Sequence, residues 1–79
     1  MSPTVFRYKN CRFLFFSREE SRVHIHVSSP DGEAKFWMTP SVELSKNIGF
    51  SEHQIHELTK VVEEHKDEIQ SAWNKHFGC

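Results

Sequence analysis

The sequence predicts an α+β domain: an antiparallel sheet of four to five strands with one long kinked helix, or two C-terminal helices, packed on one face. Three observations predict it. Residues 1–50 hold short β-branched and aromatic runs in alternation, separated by turn residues. Residues 51–79 open on a helix-start signature and carry an apolar stripe at helical spacing. The links between the strand-like runs are of hairpin length, which favours antiparallel neighbours. The 79 residues make one domain, 1–50 the sheet and 51–79 the helical part. Its expected radius of gyration is about 12 Å. A chain this short buries only about 60–65% of the surface its unfolded form exposes, so its core has little to spare.

Residues 4–8 and 11–16 read as two strands joined at Lys9-Asn10, where Asn10 tolerates the left-handed conformation. That register sets Tyr8 opposite Cys11, Arg7 opposite Arg12 and Phe6 opposite Phe13. Thr4, Phe6, Tyr8, Cys11, Phe13 and Phe15 then share the core side. Val5, Arg7, Arg12, Leu14 and Phe16 share the other. Residues 17–22 are a charged loop. The third strand, 23–28, is built on Val23-His24-Ile25-His26-Val27, and the fourth, 33–38, follows across Ser29-Pro30-Asp31-Gly32, strong turn chemistry. A four-residue loop there pairs Val27 with Ala34, His26 with Lys35, Ile25 with Phe36, His24 with Trp37 and Val23 with Met38. Apolar residues then fall on one side, and His24, His26, Lys35 and Trp37 on the other; a wrong register would mix them. Thr39-Pro40 ends the fourth strand, 42–45 is a short edge strand, and 46–49 is loop.

Ser51 followed by Gln54 is a capping box, and Phe50 with Ile55 a hydrophobic staple. Ile55, Leu58, Val62, Ile69, Trp73 and Phe77 form one apolar stripe, and Gly78 is a natural stop. An unbroken helix over 52–77 would be about 39 Å long, whereas strands of this size span about 17–20 Å. A break near His65-Lys66, giving helices 52–64 and 67–77, resolves the mismatch.

The net charge is −1, with ten Lys/Arg against eleven Asp/Glu, which excludes a strongly basic nucleic-acid binder. The halves differ in sign: residues 1–50 hold seven cations against five carboxylates, and residues 51–79 three against six. Two cysteines, Cys11 in the core and Cys79 at the tail, make no disulfide framework. With no signal-peptide pattern and no long apolar run, the expectation is a cytoplasmic protein that does not enter a membrane.

If both hairpins share a core side, the opposite side collects Arg7, Arg12, His24, His26, Lys35 and Trp37. Cations interleaved with an aromatic fit nucleic acid: charge for phosphate, Trp37 for a base. Two histidines on one strand face could also act as a pair. Lys35 opposite His26 disfavours a second positive charge, which leaves His26 as a base and His24 as an acid. Arg7 or Arg12 could stabilise a transferring phosphoryl group. The chemistry would be metal-independent RNA cleavage, with no cofactor. Three readings stand beside it. Open antiparallel sheets ordinarily have one solvated polar face. Val5, Leu14 and Phe16 would leave an apolar patch between the charges, which suits a protein partner or a homodimer. A metal site lacks a third ligand beside His24 and His26. His53 and His56 read as solvated, His65 and His76 as partly covered flanks of the stripe, and Glu63, Glu64, Asp67 and Glu68 as a solvated acidic face.

The chain resembles the Domain of Unknown Function 4160 family. The likeness rests on Pro3-Thr4-Val5-Phe6-Arg7, the aromatic strand 13–16, His24-Ile25-His26-Val27, Asp31-Gly32-Glu33-Ala34-Lys35-Phe36-Trp37, and the helical stretch with Trp73 and Phe77. One departure is Arg22-Val23, where the family often has prolines. The resemblance implies a small prokaryotic protein encoded beside a second one in a toxin–antitoxin-like pair. This chain would be the toxin and the small antitoxin-like protein its partner. It carries over no catalytic residue.

Overall fold

The computed structural model describes residues 4–15 and 22–77. The expected strand end at Phe16, most of the charged loop, the Gly78 stop and Cys79 lie outside them. Five strands form one antiparallel meander: β1 (Thr4–Tyr8), β2 (Cys11–Leu14), β3 (His24–Ser29), β4 (Gly32–Trp37) and β5 (Glu43–Ile48), in sheet order β1-β2-β3-β4-β5. Helices α1 (Glu52–Glu64) and α2 (Lys66–Phe77) follow. The radius of gyration is 11.6 Å.

The β1–β2 register is the expected one, Tyr8 with Cys11, Arg7 with Arg12 and Phe6 with Phe13, but two details differ. Lys9, not Asn10, takes the left-handed backbone at φ 54°. Its ammonium is held 2.6 Å from Glu57 on α1, which also accepts the Tyr8 hydroxyl at 2.6 Å. A bulge between Thr4 and Phe6 then shifts parity. Val5 therefore packs on the core, and the Thr4 hydroxyl accepts from Arg12 on the far side. Alternation alone puts both residues on the wrong faces.

The β3–β4 register is as expected at every pair from His24–Trp37 to Val27–Ala34. The ladder continues to Ser29–Gly32, so the turn is the dipeptide Pro30-Asp31 rather than four residues. The Ser29 hydroxyl accepts the Asp31 N–H at 3.0 Å. Gly32 is required here because the Ile48 carbonyl occupies the place of a Cβ. β5 runs to Ile48, past the expected end at Ser45. Lys46-Asn47-Ile48 has no apolar alternation, and what makes it a strand is pairing with β4.

The capping box at Ser51 is complete, with Gln54 N–H bonded to Ser51 Oγ at 3.1 Å and Ser51 N–H to Gln54 Oε1 at 2.9 Å. The helix breaks at His65, whose N–H is shared between the carbonyls of Val61 at 3.1 Å and Val62 at 3.2 Å. Its own carbonyl accepts Ile69 N–H at 2.9 Å to start α2. The imidazole stacks on Phe6 at 4.2 Å, and Phe6 stacks on Phe13 at 4.4 Å, so the break lies over the first hairpin. The core forms between the helices and one side of the sheet: Phe13, Phe15, Ile25, Val27, Ala34, Phe36 and Met38 against Leu58, Val61, Val62, Ile69 and Trp73. Val61 joins the expected stripe because a bent pair of helices buries a wider arc than one straight rod.

Candidate functional site

The side of the sheet away from α1 is ordered by the strand pairings into rows. One row reads Arg7, Arg12, Ser28, Glu33, Ile48. The next reads Thr4, Leu14, His26, Lys35, Lys46, and a third His24, Trp37, Glu43. Arg7 thus stands directly across from Arg12, and Lys35 across from Lys46. Like charges in directly opposed positions repel, so each pair costs the free sheet something that an anion would repay. Arg12 is steered by the Thr4 hydroxyl, 3.2 Å from Nε and 2.9 Å from Nη2. Arg7 is exposed.

His24 and His26 have rings 5.3 Å apart on the same side as Trp37, which lies 5.7 Å from His24. Their exposure is not what alternation suggests. His24 is only 3% exposed. Its Nδ1 donates to the Arg22 carbonyl at 2.7 Å, which leaves Nε2 as the other ring position. Trp73 of α2, 5.4 Å from Phe15 in the core, also meets the His24 ring at 5.1 Å. β2 ends at Leu14 and β3 begins at His24, and at this end of the sheet an indole from the helical layer reaches the imidazole. His26 is half-buried, with Nε2 shielded from solvent. A pair of open imidazoles, the arrangement acid–base catalysis would want, is therefore not what the strand presents.

Trp37 is half-buried and already carries cations. The Arg22 guanidinium lies 4.4 Å and the Lys35 ammonium 4.3 Å from the ring centroid, both within cation–π range. Arg22 is fixed by Thr39 O at 2.7 Å and by Glu43 at 3.3 Å. A base stacking on Trp37 would compete with these two groups.

Two contributors escape the sequence reading. The sequence reads Arg22 as loop, yet carrying the alternation of His24 and His26 back one step puts it on their side. Lys46 lay beyond the expected end of β5, and the irregularity between Lys35 and Phe36 in the β4–β5 pairing reverses its parity, so no spacing rule finds it. The expected apolar patch is also different. Leu14 is 3% exposed, Val5 is on the core side, Phe16 lies outside the described residues, and among the described residues the exposed apolar residue on this face is Ile48 at 55%.

Among the described residues no group of three His, Cys, Asp or Glu side chains is placed to hold a metal ion. Cys11 is buried on the core side, and burial pushes its thiol above the ordinary value, so it is a poor nucleophile. No described helix is long and apolar enough to cross a membrane. No curated protein and no solved structure matches the chain. A family model does match, over residues 10–74, which span β2 to α2 and include His24, His26, Lys35, Trp37 and Trp73. The chain therefore belongs to the family described as Domain of unknown function (DUF4160).

Proposed function

We propose that this chain is the toxin-like component of a two-protein module and that it binds RNA through the outer face of its sheet. The observation that carries the reading is the pairing of Arg7 with Arg12 and of Lys35 with Lys46 in directly opposed positions. Phosphate oxygens would relieve both repulsions at once. Five strands at about 4.8 Å make a face roughly 20 Å wide, enough for several nucleotides. Arg22, Lys35 and Trp37 form a mixed cationic and aromatic patch at one end of it. The reading is one of binding rather than cleavage, because His24 is enclosed and its Nδ1 is committed to a backbone carbonyl. A cytoplasmic location goes with it.

The experiment is fluorescence anisotropy of a labelled single-stranded RNA across a salt series. Four neutralised phosphates give a log–log slope of about −2.8, and Arg7→Ala/Arg12→Ala reduces it by about 1.4. Binding that ignores both salt and the double substitution contradicts the reading. Ile48, exposed at 55% beside Glu33 on the same face, favours a second reading in which a protein partner covers it. An antitoxin-like neighbour that binds with RNA absent would support that one.

A further inference from the structure

We propose that β5 pairs antiparallel with β5 of a second copy, so that two five-stranded sheets join into one of ten about a two-fold axis normal to the sheet. Among the described residues β5 has a neighbour on one side only, and all six of its residues are exposed. Leu44 and Ile48 are 45% and 55% exposed. Leu44 is opposite Phe36 and so on the helix side, whereas Ile48 is opposite Glu33 on the outer side. An open edge of this length is a template for another strand.

Charge selects the occupant and the register. The irregular pairing of β5 lets Glu43 and Lys46, three positions apart, stand on the same outer side, across from Trp37 and Lys35. Lys46 thus faces a cation within its own sheet. In the register that sets Glu43 against Lys46 of the second copy, two-fold symmetry makes that opposite-charge pair twice. Leu44 of each copy, on the helix side, then meets the other at its irregular step between Leu44 and Lys46. There it borders a cleft of about 340 Å³ lined by Leu44, Asn47, Glu52, Ile55, His56 and Thr59. A lysine on an edge strand ordinarily deters pairing. Here a carboxylate of the second copy turns it into a register lock, because a slip that set Lys46 against Lys46 would oppose like charges. With the axis normal to the sheet, both outer faces fall on one side, and Arg7, Arg12 and Lys35 of the two copies share a single surface.

Sedimentation velocity on the full chain tests this without RNA, so its outcome is separate from that of the proposed function. The expected species has twice the 9.3 kDa chain mass and dissociates on dilution. Lys46→Glu and Glu43→Lys each weaken the dimer by about tenfold or more, and the double exchange restores it. Glu43→Lys also removes the tie to Arg22, so far-UV circular dichroism accompanies each variant. A chain that stays monomeric at about 1 mM, near −4 kcal/mol of association, overturns the proposal and leaves the edge to a strand of a different protein. Dimerisation that single exchanges leave unchanged, or that the double exchange fails to rescue, overturns it as well.

Discussion

His24 illustrates how side and depth are separate properties of a residue. Alternation puts it on the side of His26 and Trp37, and the ring distances of 5.3 and 5.7 Å agree. Its depth is set by Trp73, far along the chain and 5.1 Å away. No local pattern in the sequence encodes that contact. His24→Ala would open a cavity among three aromatic rings, and the expected cost is about 2–4 kcal/mol, read as a lower urea midpoint. An unchanged midpoint would mean that the imidazole is not packed. Arg7 should behave in the opposite way. Arg7→Glu replaces a like-charge pair with an attractive one opposite Arg12, so stability rises by about 0.2–1 kcal/mol while RNA affinity falls. A variant that loses both stability and affinity would contradict the view that these arginines are held for a ligand.

At the scale of elements, the sequence was most legible where two signals coincide. The β3–β4 hairpin has a turn dipeptide and a clean sorting of faces, and its register is as read. The α1 start has a capping box and a staple, and the mismatch between helix and strand lengths calls for a break, expected near His65-Lys66 and found at His65. Legibility failed where pairing, not side-chain pattern, makes the structure. The irregularities in β1 and β5 each reverse parity, and this moved Val5, Thr4 and Lys46. Gly49 closes the β5–α1 connection at φ 96°, with the Asp31 carbonyl 2.6 Å from where a Cβ would sit. Gly49→Ala is expected to lower stability by about 1–2 kcal/mol, measured by thermal unfolding. The first hairpin is tied to α1 by Tyr8, Lys9 and Glu57. Hydrogen bonds from Lys9 and Tyr8 hold the Glu57 carboxyl below its ordinary 4.5. The bond to Glu57 raises Lys9 above 10.5 and Tyr8 above 10.0. The contribution of Glu57 is therefore complete above pH 4.5 and lost as pH falls through its lowered value. Those of Tyr8 and Lys9 are complete below 10.0 and lost as pH rises through their raised values. Glu57→Gln should flatten the acid limb of a stability–pH profile; an acid limb identical to that of the unsubstituted chain would refute the tie.

At the scale of the molecule, the two faces of the domain differ in charge. Among the described residues, Arg7, Arg12, Arg22, Lys35 and Lys46 outnumber Glu33 and Glu43 on the outer side of the sheet. Glu63, Glu64, Asp67 and Glu68 are exposed on the helices. The opposite charge balance of the two halves of the sequence already contained this division, but the strand pairings were needed to assign the cations to one face. A polyanion should accordingly approach the sheet and avoid the helices. Chemical-shift mapping of the amide spectrum during titration with single-stranded RNA tests that claim most directly. The account predicts shifts at Arg7, Arg12, Lys35, Lys46 and the Trp37 indole, with the exposed faces of α1 and α2 unmoved; shifts confined to the helices, or none at all, would contradict it.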